Sequence, residues 1–236
     1  MRVVALIPAA GRGRRMGGEK PKAFLPLGGI PILSHTLQKF EACLQVDEIL
    51  PLVPEEEIFF CAEKIVRPLG LKKISNILPG GPERQDSVYR GLQAVAKDTD
   101  FVIIHDGVRP FVPEKLIQQG LRETQKSGAV VVALPVGDTL KEVSEDRRVM
   151  GTVDRSPLWC IQTPQFFEYG LILQAHEMAR KDGFYGTDDA ALVERLGISV
   201  MVIEGTRTNL KITTPEDLLL GEALLRYLKD FDSPIH

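Results

Sequence analysis

At 236 residues, 44% of them hydrophobic and 26% charged, the chain has an ordinary globular composition and is long enough to bury a full core as one domain, with or without an excursion. Its net charge of -3 argues against nucleic acid as the main partner, and its N-terminal apolar run is far too short for a signal peptide or a membrane span. Cys43, Cys61 and Cys160 are an odd, widely spaced set with no Cys-x-x-Cys, which suggests neither a disulfide framework nor a zinc site and leaves a cytoplasmic enzyme as the open class.

Val3 to Ile7 is unbroken, apolar and rich in β-branched residues, so it predicts a buried strand that Pro8 closes. Ala9, Ala10, Gly11 and Gly13 then leave backbone N–H groups open, and Arg12, Arg14, Arg15, Lys20 and Lys22 crowd the same stretch. Exposed N–H donors beside clustered cations describe a polyphosphate site. The dinucleotide loop does not fit, because Met16 stands where a third glycine belongs and the following interval is basic. The triphosphatase loop does not fit either, because Lys20 is flanked by Glu19 and Pro21.

Further along, Leu33, Leu37 and Phe40 have helical spacing with Pro31 in the first turn. A strand is expected at Glu48 to Val53, a helix at Glu55 to Val66, and a strand at Ile74 to Leu78 closed by Pro79-Gly80-Gly81. Val88, Leu92 and Val95 mark one face of a helix beginning near Asp86. Phe101 to Ile104 reads as a strand ending in His105-Asp106-Gly107-Val108-Arg109-Pro110. A helix from Pro113 to Gln125 stops near Gly128, and Ala129 to Leu134 reads as a strand covered on both faces. Val136 to Val143 and Val149 to Val153 form two strands around a charged turn, too poor in apolar residues to stand alone. Helices are expected at Pro164 to Ala179, Asp188 to Leu196 and Pro215 to Leu228, with a strand at Ile198 to Ile203. The alternation indicates an α/β sheet with helices on both sides.

Ligands of such sheets sit beyond the carboxyl ends of the strands, where Ala9 to Lys22, Gly80 to Ser87 and His105 to Arg109 all fall. Asp106 is the candidate for holding Mg2+, since a triphosphate and water supply the remaining ligands. His105 is left in the core or at a cap. Arg84, Asp86 and Ser87 are placed to orient a nucleotide, although Asp86 or Ser87 is equally suited to cap the next helix. Lys211 followed by Thr213 and Thr214 at a helix entrance suits a phosphate.

Together these residues resemble the 2-C-methyl-D-erythritol 4-phosphate cytidylyltransferase family of the non-mevalonate isoprenoid pathway. The likeness is carried by Pro8-Ala9-Ala10-Gly11, Gly13-Arg14-Arg15-Met16, Pro21-Lys22, Gly80-Gly81 with Arg84 and Asp86-Ser87-Val88, and His105-Asp106 with Arg109-Pro110. Thr152 to Arg155, Thr163-Pro164-Gln165, Thr187-Asp188 and Asn209 to Thr213 continue it in order along essentially the whole chain. Gly107-Val108 depart from the two alanines of many members.

The resemblance implies a single-domain, Rossmann-like nucleotidyltransferase fold over residues 1–236, with a mostly parallel mixed sheet and a protruding β-arm at 136–160 that joins a homodimer. It implies CTP and methylerythritol phosphate as substrates and Mg2+ as cofactor. Arg15 and Lys22 take the part of transition-state stabilisers. Arg155, Lys211, Thr187, Thr163 and Arg109 take the part of acceptor-positioning residues. Pro8, Ala9, Ala10, Gly11, Gly13, Gly81, Arg84, Ser87 and Asp106 take the nucleotide. A cytidylyltransferase for ribitol 5-phosphate is the nearest rival, and a non-catalytic nucleotide sensor is the rival of another class.

Overall fold

The N-terminal apolar run forms β1 (Val3–Pro8), buried throughout as far as Ile7. The computed structural model describes residues 1–11 and 21–232, the last four as backbone only. A small hairpin of β2 (Pro26–Leu27) and β3 (Ile30–Pro31) feeds α1 (Ile32–Ala42), which buries Leu33, Leu37 and Phe40 on one face. β4 (Glu48–Val53) then pairs with β1 in parallel.

The single helix expected from Glu55 to Val66 is instead a 3-10 turn (Glu55–Glu57), α2 (Ile58–Cys61), a π segment (Ala62–Val66) and α3 (Arg67–Leu69). Pro68 has no N–H to offer the carbonyl four residues back, so a regular α ladder cannot run through it. The strand expected from Ile74 shrinks to β5 (Leu78–Pro79) and one isolated bridge between Ile74 and Ile49. Asn76 accepts the N–H of Ile77 on its own side chain at 2.9 Å, which diverts that donor from the ladder.

Four further elements follow, α4 (Arg84–Ala94), β6 (Phe101–Ile104), α5 (Glu114–Ser127) and β7 (Ala129–Pro135). Gly128, left-handed at φ +76, ends α5 as its position promised. The arm is a hairpin of its own, β8 (Leu140–Val143) with β9 (Val149–Val153), and it exposes Val143, Val149 and Met150.

Residues 164–168, expected to open a helix, belong to β10 (Trp159–Glu168), and the helix α6 begins only afterwards (Tyr169–Lys181). Pro164 suggested the first turn of a helix. It lies instead where the pairing of β10 with β7 shifts register, between Gln162 and Gln165, so the ladder needs no N–H from it. The chain ends with α7 (Ala190–Glu194), β11 (Met201–Glu204) and α8 (Pro215–Asp232), the first two shorter or later than their apolar patterns suggested.

Seven strands form the main sheet in the order β11-β7-β10-β6-β1-β4-β5, parallel except for β10. One apolar layer joins one sheet face to α1 and α5, with Leu218, Leu224 and Leu225 of α8 packed on it. A second joins the other face to α4, α6 and α7. The parallel strands are therefore covered on both faces, and polar groups collect at their ends.

Candidate active site

A cleft of about 850 Å3 opens beyond the carboxyl ends of β1, β4, β5 and β6. Pro8 to Gly11 and Lys22 form one side of it, and Gly80 to Arg84, Ser87 and Arg90 another. Asp106, Val108 and Lys211 also line it, together with Glu55 and Glu56.

The two loops that meet here need their small residues. A side chain on Gly80 would put its Cβ 2.3 Å from the Cβ of Ala10, and one on Gly81 would lie 2.4 Å from that of Asp86. Gly80 N–H donates to the Val53 carbonyl at 2.7 Å, and Gly81 N–H to Ser87 Oγ at 2.9 Å. Arg90 Nη1 holds the Gly80 carbonyl at 2.6 Å. Ser87 therefore braces the loop. The cap of α4 is Glu83, whose N–H donates to Asp86 while the Glu83 side chain accepts from the helix in return. Asp86 also pairs with Arg180 at 3.2 Å.

Asp106 is the electrostatic centre. Arg84 Nε lies 3.1 Å from Oδ1, and Lys211 Nζ and Arg109 Nε lie 2.8 and 3.6 Å from Oδ2. Burial alone would raise this carboxyl's pKa, but three neighbouring cations outweigh it and hold the value far below the usual carboxylate range. Asp106 is thus a fixed negative charge within a net positive cluster.

The cluster has a neutral backing. Asp106 N–H donates to Thr163 Oγ1 at 3.0 Å, and the Thr163 hydroxyl, 3.1 Å from His105 Nδ1, donates to that nitrogen. His105 Nε2–H donates to the Arg109 carbonyl at 3.1 Å, which sets the tautomer. Burial lowers the His105 pKa to about 4, so the ring is neutral at physiological pH. Asn209 closes the group, donating to the Thr163 carbonyl at 2.8 Å and accepting Arg109 Nη1–H on its own carbonyl at 2.8 Å. The cleft faces Asp106 and Lys211, while Thr163 and Arg109 stand behind them.

Among the sequence-derived candidates, Pro8, Ala9, Ala10, Gly11, Lys22, Gly81, Arg84, Ser87, Asp106 and Lys211 come together at the cleft. Gly13 and Arg15 lie outside the described residues. Thr187 is exposed on the segment between α6 and α7 and does not line the cleft. Arg155 is exposed on the segment after β9, where its Nη1 donates to the Gly137 carbonyl.

One expectation is overturned. The entrance to α8 is not open to a phosphate, because Asp217 Oδ2 accepts from Thr213 N–H, Thr213 Oγ1–H and Thr214 N–H at 2.7 to 2.9 Å. Lys211 itself lines the cleft, 2.8 Å from Asp106 Oδ2. Asp189 and His176 escaped the sequence reading. They reach the site through Arg84, and one Asp in a Thr-Asp-Asp run gives no sign of which carboxylate turns inward.

A mostly parallel sheet with one antiparallel strand, small-residue loops at its carboxyl edge and cations around one ionised carboxylate make this cleft a site for a phosphorylated ligand. A model of the family 2-C-methyl-D-erythritol 4-phosphate cytidylyltransferase matches residues 3–227. The chain is 48% identical over 225 residues to the cytidylyltransferase of that name from Syntrophus aciditrophicus, covering 95% of this chain and 96% of the relative. It is 49% identical over 228 residues to that of Geotalea uraniireducens, covering 96% and 97%. The crystal structure of the 4-diphosphocytidyl-2C-methyl-D-erythritol synthase from Anaerococcus prevotii superposes with a TM-score of 0.83 at 32% identity, over 95% of this chain and 96% of that one. The Thermus thermophilus cytidylyltransferase gives 0.77 at 39% identity, over 96% and 100%. The chain belongs to the 2-C-methyl-D-erythritol 4-phosphate cytidylyltransferase family.

Proposed function

We propose that the family's reaction takes place in this cleft and that each cleft is completed by the arm of a second copy of the chain. Family membership establishes the reaction: CMP passes from CTP to 2-C-methyl-D-erythritol 4-phosphate, giving 4-diphosphocytidyl-2-C-methyl-D-erythritol and pyrophosphate in isoprenoid precursor synthesis. An oxygen of the acceptor phosphate forms the new bond to the α-phosphorus of CTP, and the bond from that phosphorus to the bridging oxygen of pyrophosphate breaks.

The acceptor's second pKa is near 6, so its monoester is mostly ionised and needs no general base. The difficulty is bringing two anions together, which makes positioning and charge neutralisation the protein's task. Pro8 to Gly11, Gly81, Arg84 and Ser87 hold the nucleotide. Lys22 and Arg15 neutralise the charge that develops on the reacting phosphates. Lys211, Arg155 and Thr187 hold the acceptor, with Thr163 and Arg109 fixing Lys211 and Asp106 from behind.

Among the described residues no three His, Cys, Asp or Glu side chains gather as a metal cage. The donor set nonetheless suits Mg2+ carried with a triphosphate, because one ionised carboxylate on the cleft wall suffices when phosphate and water complete the shell. Asp106 would hold the ion, and Lys211, partly exposed and 2.8 Å from Oδ2, would share that carboxylate. When bound, Mg2+ contributes neutralisation of phosphate charge.

The observation that carries the composite site is the position of Arg155. It is exposed beside the arm, bonded to Gly137 and absent from the cleft wall, whose described cations all come from elsewhere in the chain. Acceptor choice is tested by incubating the protein with CTP, Mg2+ and either methylerythritol phosphate or ribitol 5-phosphate. The expected result is pyrophosphate release that requires an acceptor and is faster with methylerythritol phosphate. Faster turnover of the ribitol compound, or release without any acceptor, would contradict the reading.

A further inference from the structure

The guanidinium of Arg84 is gripped from two sides. Its Nε donates to Asp106 at 3.1 Å, and its Nη1 donates to Asp189 Oδ2 at 2.6 Å. The other Asp189 oxygen accepts His176 Nε2–H at 3.1 Å, and the Asp189 and His176 residues are 1% and 0% exposed. Tyr89 stacks on the His176 ring with centroids 6.3 Å apart, which holds that ring in turn. Neither Asp189 nor His176 lines the cleft, whereas Arg84 does.

A carboxylate and an imidazole buried this completely cost more to bury than apolar side chains of the same size. What they achieve is a fixed orientation. An arginine held by a single carboxylate still swings about that contact, but one held through Nε and Nη1 by two carboxylates has its plane set. Its Nη2 is left buried without a hydrogen-bond partner.

We infer that Asp189 and His176 are positioning residues for CTP: they lock the guanidinium of Arg84 in the orientation that the nucleotide meets. The inference rests on the reading that Arg84 serves the nucleotide. Asp189 acts through Arg84, and His176 acts through Asp189.

The sign of one substitution separates this from bulk electrostatics. Asp106 and Asp189 stand against Arg84, Arg109 and Lys211. If Asp189 mattered only as a negative charge near an anion site, neutralising it would strengthen CTP binding. Positioning requires the opposite, since a misplaced contact weakens binding even when the net charge becomes more favourable.

The experiment is CTP binding by titration calorimetry with Mg2+ on folded wild type, Asp189→Asn, Arg84→Ala and the double variant, together with KM and kcat. Asp189→Asn should weaken CTP about tenfold and raise the KM for CTP more than it lowers kcat. It should have no further effect in the Arg84→Ala background. His176→Gln, which keeps an N–H donor, should bind CTP like wild type, while His176→Leu should bind it several-fold more weakly. Unchanged or tighter binding by Asp189→Asn would overturn the inference, as would an equal loss with Arg84 already removed. Should Asp189→Asn not fold, the His176 pair decides, and equal affinities would overturn it. If Arg84→Ala itself leaves CTP binding intact, the nucleotide reading of Arg84 fails and the inference falls with it.

Discussion

At the scale of single residues, the glycines show how packing overrides propensity. Gly120 sits in the middle of α5, where alanine is ordinarily favoured by up to about 1 kcal/mol. A Cβ there would lie 2.1 to 2.6 Å from three ring carbons of Phe166, which is fully buried in β10. The ring has nowhere to retreat, and overpacking of this kind costs about 1 to 3 kcal/mol. Gly120→Ala should therefore destabilise the fold by a net 1 kcal/mol or so, read as a lower urea midpoint at unchanged slope. A stabilised variant would mean that the contact of α5 with β10 is looser than described. Individual site residues were unevenly legible. Asp106, Lys22 and Lys211 announce themselves as charges at strand ends or before a helix. Asp189 and His176 do not, because a buried polar pair behind the site leaves no periodic mark, and His176 lies on the α6 face that also carries Ile172, Ala175 and Ala179.

At the scale of elements, the entrance to α8 shows a local rule satisfied by the chain itself. Thr214 precedes Pro215 in the first helical position, and Asp217 stands three residues after Thr214, the spacing of a capping box. Asp217 N–H donates back to Thr214 Oγ1 at 3.3 Å. Burial alone would raise the Asp217 pKa, but the bonds from Thr213 and Thr214 together hold it below the usual carboxylate value. A carboxylate whose folded pKa is depressed stabilises above its unfolded pKa and loses that contribution as pH falls through the folded value. Asp217→Ala should thus cost about 1 kcal/mol at pH 7, a gap that narrows as pH falls below about 4. Denaturation of both proteins at the two pH values measures it, and a gap independent of pH would contradict the capping account. The threonines read as donors for a phosphate, but the capping-box spacing of Thr214 and Asp217 lets the chain's own carboxylate at the third helical position take those donors ahead of any external anion. Strands β1, β4, β6 and β7 were equally legible as continuous apolar runs. β10 was not recognised at all: Trp159 to Thr163 was assigned to no element, and from Pro164 on a proline before a long helix resembles a helix start more than a register shift inside a strand.

At the scale of the whole molecule, the proposed composite site takes one half from the main body and the other from the arm of a second copy. The β8–β9 hairpin exposes Val143, Val149, Met150 and Val153, apolar surface that nothing in the described part of its own chain covers. Arg155 follows directly, away from the cleft wall. Two chains whose arms embrace would bury those side chains and bring each Arg155 to its neighbour's cleft, an isologous arrangement. The most direct measurement mixes two inactive proteins, Lys22→Ala and Arg155→Ala, under conditions that let subunits exchange. Each variant alone should lose about a hundredfold in rate or more. With sites shared between chains, every mixed dimer carries one site with both lesions and one with neither, so activity should return to roughly a quarter of the wild-type value. No recovery, with mixed dimers confirmed by mass spectrometry, would contradict the account and place Arg155 in the site of its own chain.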